Sequence, residues 1–198
     1  MFDIVFPDRN EPEFFAMAQK LGIKGLIFVY ASPQAADAAP KAPVGLHVKT
    51  AVLAEPRKAR DLRNKGIMTF VRCSDSDRAV LEQGAAVVLF GAESTQPKDY
   101  MHQRGSGMNH VLAELARKNK VALGFSFSSI LSATDGERAR LLGRMMQNIA
   151  LCRKYAVKMV IGSFAADPWK MRSPHDLQSF FVELGMHPSE AKAAFQMP

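Results

Sequence analysis

The chain has 198 residues, 47% of them hydrophobic and 23% charged, and a formal charge of +7. That length holds one domain or a tight pair with a real core, so we expect one domain over 1–198, and the composition excludes extensive disorder. No run approaches the roughly 20 apolar residues of a membrane span.

The positive charge is uneven. Residues 1–100 carry 13 Lys/Arg against 12 Asp/Glu, residues 101–172 carry 12 against 4, and residues 173–198 carry 1 against 3. An excess of +8 in one segment is what a polyanion-binding face looks like, with plain solubility as the alternative. The two cysteines, Cys73 and Cys152, have neither a CxxC nor a histidine at metal spacing. They read as small core residues of a reduced, cytoplasmic protein.

Short apolar runs alternate with amphipathic segments. Residues 2–6 (FDIVF) lack the basic n-region of a signal peptide and read as a strand. Pro12 suits the first turn of a helix running to about Leu21. The run Lys24 to Tyr30 predicts a strand covered on both faces. A loop or short helix over 31–43 and a strand over Val44 to Leu53 follow. Pro56 opens a charged helix that Gly66 closes. Strands over Ile67 to Arg72 and Ala86 to Phe90 flank a helix over Asp75 to Gln83, and a polar loop runs from Gly91 to Gly105.

From Gly107 to Asn119 the spacing of Met108, Val111, Leu112, Leu115 and Ala116 predicts one apolar helix stripe. After a strand over Val121 to Phe125, the stretch FSFSSIL (125–131) reads as a second loop. Thr134 to Glu137 has the pattern of a capping box opening a helix of about twenty residues. Its buried stripe is Leu141, Met145, Ile149 and Cys152, with Arg140, Arg144, Arg153 and Lys154 pointing elsewhere. A last strand spans Val157 to Gly162. Ser173, Pro174 and Asp176 carry helix-start chemistry, and a short helix from Pro188 to Phe195 ends the chain. About seven strands, nearly all followed by helices, predict an α/β fold with a parallel sheet, either doubly wound or a compact, incomplete TIM-like barrel.

Motifs for chemistry are sparse. The five histidines form neither HxH nor HExxH. Asp8, Glu93, His102 and His110 could converge at one rim as metal ligands, but four residues scattered on loops make a weak set. The RGSG run at 104–107 is not a phosphate-binding Walker loop, and its glycines read as backbone turns. GFSFSS (124–129) lacks the nucleophile-elbow spacing. Trp169 reads equally as a partner contact or as core.

At Gly105-Ser-Gly-Met-Asn-His-Val-Leu-Ala113 the sequence resembles ribonuclease P protein component 3, a family of archaeal ribonuclease P subunits. FSFSSIL, the RARLL helix from Arg138, and RSPHDL with ELGM at 172–186 support the resemblance, which runs from about residue 67 to the C-terminus. It implies an incomplete TIM-like barrel of seven or so parallel strands, related to the PHP superfamily but without that superfamily's metal cluster. It further implies a non-catalytic, RNA-binding role in which a catalytic RNA, with its own Mg2+, removes the 5′ leader of precursor tRNA. No cofactor would be bound by this chain. The implied partners are ribonuclease P RNA, precursor tRNA and a smaller α/β subunit, in a heterodimer or a dimer of heterodimers, without a membrane.

Basic positions that match the family are Arg78, Arg104, Lys118 or Lys120, and Lys154, with His110 as a further RNA contact or a local cap. For each, a solvated surface charge is the plain alternative. The competing functions are an autonomous metal-dependent PHP-like phosphoesterase and a scaffold whose basic face binds protein or nucleic acid without specificity.

Overall fold

The computed structural model describes residues 1–99, 101 and 104–197. Seven parallel strands hydrogen-bond in sequence order: β1 (Asp3–Val5), β2 (Gly25–Tyr30), β3 (His47–Leu53), β4 (Thr69–Arg72), β5 (Val88–Phe90), β6 (Ala122–Ser126) and β7 (Met159–Gly162). The helices are α1 (Glu11–Lys20), α2 (Pro33–Asp37), α3 (Pro56–Asn64), α4 (Asp77–Glu82), α5 (His110–Lys118), α6 (Phe127–Ser132), α7 (Asp135–Tyr155), α8 (Pro174–Glu183) and α9 (Pro188–Ala193).

The sheet curls until β1 and β7 meet. Above β7, Val5 bridges Ala165, the Phe6 amide donates to the Ala165 carbonyl at 2.8 Å, and the Ser163 amide donates to Asp3 Oδ1 at 2.6 Å. Lower on the same seam the end of the chain stands in for a strand. The Ile161 amide donates to the Ala194 carbonyl (3.1 Å) and the Phe2 amide to the Phe195 carbonyl (3.4 Å). The result is the expected incomplete barrel, nearly closed.

Alternation along each strand divides the core. Ile4, Ile27, Val29, Phe70, Val88, Phe90 and Val160 fill the barrel, whereas Leu26, Phe28, Val71, Leu89, Leu123 and Ile161 pack outward on the helices. Burial on both faces is why the strand sequences read as unbroken apolar runs. Both cysteines are buried and unbridged, and burial pushes the Cys152 thiol up to about 12.

Four expectations need correction. The helix expected from Gly107 begins at His110, because Gly107 takes a left-handed φ of 75° and Asn109 caps the helix by accepting the Leu112 amide at 2.9 Å. Of the expected stripe Met108 and Ala116 are buried, Leu112 and Leu115 pack partly buried against the core, and only Val111 is exposed. FSFSSIL is no loop but the end of β6 running into α6, with Ser126 accepting the Ser129 amide. Thr134 stands at the N-cap of α7 without a side-chain cap bond. Arg138 works there instead, reaching the Ile130 and Ala133 carbonyls and Asp135. Finally, Arg144 does not point away from the core: it is 1% exposed.

Candidate nucleic-acid interface

Between β5 and α5 the described residues have no regular structure beyond a 3-10 turn at Ala92–Ser94, so their backbone polar groups need outside partners. Arg144 of α7 supplies them. Its Nε donates to Asp99 Oδ1 at 2.8 Å, and its Nη1 donates to the Glu93 and Gln96 carbonyls, both at 2.8 Å. Asp99 Oδ1 also accepts the Gly105 amide at 2.8 Å, and one turn along α7 Asn148 Nδ2 donates to the Ser106 carbonyl at 2.8 Å. The Gly105 amide and the Arg144 guanidinium together hold the Asp99 carboxyl below the usual carboxylate range.

The fit admits no side chain at two glycines. A Cβ at Gly105 would stand 2.8 Å from Gln96 Cβ and 3.3 Å from Arg144 Nη2, and one at Gly107 would overlap the Ala92 carbonyl. The glycines of RGSG therefore serve the backbone path, as their spacing suggests.

This clamp sets the position of Arg104. A Cβ on Gly143 of α7 would overlap the Arg104 guanidinium, so that exposed cation lies over a glycine. Arg104 and Arg78 line one cleft of about 420 Å3 at the N-terminal ends of α4 and α5, together with Asp75 and Asp77. Arg78 is paired to Glu82 at 2.8 Å, with both side chains largely in solvent. Solvent screens such a pair, which leaves the guanidinium open to other acceptors. His110 opens α5 beside this cleft, exposed; Asn109, not His110, makes the local cap.

Lys118 and Lys154 meet at the other end of α5. They line a groove of about 650 Å3 between the last turns of α5 and α7, with Val111, Leu115 and Tyr155 as its apolar floor. Lys154 Nζ lies 5.5 Å from the Tyr155 ring centroid. Lys120 follows in the turn into β6 with φ 53°, exposed but outside the groove. The six residues thus form two clusters at the two ends of a nine-residue helix, about 12 Å apart at 1.5 Å per residue.

Composition overstated this face. Three of the twelve cations in 101–172 are answered internally: Arg144 by Asp99, Arg138 by Asp135, and Arg153 by Glu190 at 2.8 and 2.5 Å. It also hid Arg117, which lines the lower groove beside Lys118. Arg117 carries no motif; its place on α5 was the only signal. Ser173 and Asp176 form the helix start expected of them, with Ser173 Oγ accepting the Asp176 amide at 3.2 Å. Trp169 is 75% exposed, which removes it from the core.

Among the described residues no three His, Cys, Asp or Glu side chains stand where one metal ion would hold them, and His102 lies outside those residues. No described helix is long and apolar enough to cross a membrane.

Comparison with known proteins bears on this face. The model of the RNase P subunit p30 family matches residues 98–198, the half that contains Arg104, α5 and α7. Ribonuclease P protein component 3 of Thermococcus kodakarensis is 30% identical over 157 residues, covering 76% of this chain and 68% of that protein. Its namesake in Thermococcus gammatolerans is 39% identical over 95 residues, covering 48% and 44%. That of Methanococcus maripaludis is 30% identical over 139 residues, covering 69% and 57%. The match thus spans about half to two thirds of these relatives' length.

Among solved structures, a chain of an archaeal ribonuclease P bound to mature tRNA superposes with a TM-score of 0.73 at 24% identity, over 98% of this chain and 86% of that one. Ochratoxinase of A. niger superposes with a TM-score of 0.60 at 11% identity, over 98% and 69%. These two likenesses concern the fold.

Proposed function

The chain belongs to the RNase P subunit p30 family, and from that premise we propose that it is a protein subunit of ribonuclease P that supports a catalytic RNA in removing the 5′ leader of precursor tRNA. Family membership is the observation that carries this reading. In it the chain performs no hydrolysis and binds no metal of its own, the Mg2+ ions residing on the RNA. It works beside a smaller α/β subunit, as a heterodimer or a dimer of heterodimers, in the cytoplasm.

The physics of the α5 face supports the role. Folding an RNA brings phosphates together, and cations on a rigid scaffold offset their repulsion without reading bases. Arg78, Arg104 and His110 at one end of α5, and Lys118, Lys120 and Lys154 at the other, are the proposed contacts. The Arg144 clamp fixes the first cluster to the same helix, α7, whose last turn carries Lys154 of the second. The two clusters therefore present phosphates with a preset spacing.

The test is precursor-tRNA cleavage by ribonuclease P RNA reconstituted with its other proteins, with and without this chain. Adding it is expected to raise the rate or lower the Mg2+ required. No effect on either, with metal-dependent phosphoester hydrolysis by the chain alone, would replace the reading with the autonomous phosphoesterase. A second expectation concerns the contacts. Reversing Arg78 and Lys154 together (Arg78→Glu, Lys154→Glu) should weaken RNA binding and reduce the log–log salt slope by about 1–2, since each phosphate contact contributes roughly 0.7–0.9. An unchanged slope removes both residues from the interface.

A further inference from the structure

The C-terminal mouth of the barrel, where folds of this kind place their ligands, has chemistry of its own. The rings of Phe6, Phe90 and Phe164 close the interior, with centroids 5.2 to 6.2 Å apart. Above them opens a cleft of about 590 Å3, within the roughly 300–1,000 Å3 of small-ligand sites. Arg72 and six hydroxyls line it, among them Ser94, Ser128 and Ser129, and no carboxylate does among the described lining residues.

That inventory selects a ligand. A hard cation or an amine requires carboxylates, and a wholly apolar molecule would leave the hydroxyls unanswered. An anion rich in oxygen, joined to a flat apolar part, answers both the walls and the aromatic floor.

Four details point to a built site. The Arg72 guanidinium lies 5.4 Å from the Phe90 ring centroid, and no acceptor pairs with it among the described residues. Ser128 Oγ is shielded from solvent with no hydrogen-bond partner. Lys170 Nζ donates to the Ser132 hydroxyl of the cleft wall at 3.1 Å, which brings a second cation to the rim. Phe164 takes a φ of 50° while its ring forms part of the floor. Lys120 and Ala156 share that conformation at helix ends, where it is ordinary, but Phe164 follows a strand, and such strain concentrates at functional sites.

We propose that this mouth binds a nucleoside monophosphate, as a free nucleotide or as the phosphate-bearing end of a single-stranded RNA. Arg72 takes the phosphate, the serine hydroxyls take phosphate and ribose oxygens, and the base lies against the half-buried Phe6. The site adjoins the Arg78 and Arg104 cleft, with Thr95 lining both, but its own lining carries the proposal whether or not the α5 face binds RNA.

Calorimetric titration of the 198-residue chain with UMP, AMP, inorganic phosphate and a 5′-phosphorylated trinucleotide tests it. Saturable one-to-one binding of the nucleotides is expected, weakened at least tenfold by Arg72→Ala and about threefold by Ser128→Ala, with the thermal midpoint of each variant confirming that it is folded. A trinucleotide that binds tenfold tighter than UMP identifies an RNA end as the ligand, and the reverse order identifies the free nucleotide. The proposal is overturned if nothing saturates, if inorganic phosphate binds as tightly as the nucleotides, or if both folded variants bind like the parent.

Discussion

Arg144→Met is expected to cost roughly 3–5 kcal/mol of stability, a third or more of what a domain of this size possesses. The guanidinium is 1% exposed and supplies the Asp99 carboxylate and the Glu93 and Gln96 carbonyls. Methionine fills much of the volume but donates nothing, so two loop carbonyls are left without their partner under the fold, and unmet buried acceptors cost more than a hydrogen bond contributes. Asp99 is one-third exposed and regains water, so Asp99→Asn should cost only about 1 kcal/mol. Denaturant unfolding measures both. Protease cleavage within residues 91–109 should rise in the Met variant alone. Because Arg104 stands at the end of this loop, RNA affinity should fall with it while the Lys118 and Lys154 groove stays intact. A Met variant within about 1 kcal/mol of the parent would mean that the loop does not depend on Arg144.

The same residue marks how far the sequence could be read. All seven strands were legible because a barrel buried on both faces writes its strands as apolar runs, and proline and glycine punctuate its helices. The 3.6-residue period places Leu141, Met145, Ile149 and Cys152 of α7 correctly, yet Arg144 precedes Met145 and is just as buried. Periodicity ranks residues by polarity and assigns an arginine to solvent. It has no means of foreseeing a loop, folded over from β5, that needs donors. Asp99, 45 positions away, had no mark in the sequence either. Similarly, the spacing puts Val111 on the apolar stripe of α5, yet it is exposed, while Leu112, Leu115 and Ala116 of the same stripe pack on the core. The basic residues of the candidate face were legible one by one. Their division into two clusters at the ends of α5 required the packing of α4 and α7 against that helix. The mouth cleft is not legible in the sequence, since serines from β6, α6 and the β5 loop acquire meaning only when the strands bring them around one arginine.

Stability should also fall as pH rises from about 4.5 to 8, opposite to the trend of proteins whose carboxylates are held low. Burial pushes the Glu93 carboxyl up to about 7 from 4.5, and pushes Asp3 up to about 6 from 3.8, against the Ser163 and Ile4 hydrogen bonds that pull Asp3 down. The folded state keeps these protons where the unfolded chain has released them. Their contribution is whole below the unfolded values and is lost as pH climbs through the folded ones. At 1.36 kcal/mol per pKa unit, Glu93 alone carries roughly 3 kcal/mol. Glu93→Gln isolates that share, for glutamine keeps the shape and cannot ionise. At pH 4.5 or below the variant should match the parent, and at pH 8 it should exceed it by about 2–3 kcal/mol. Asp3→Asn should follow the same course, because the asparagine Oδ1 still accepts the Ser163 and Ile4 amides at the barrel seam, and Asp3 Oδ2, like Glu93 Oε1, has no partner among the described residues. Urea titrations of parent and Glu93→Gln from pH 4 to 8 decide the matter. Parallel profiles would mean that Glu93 ionises in the fold as freely as it does in the unfolded chain.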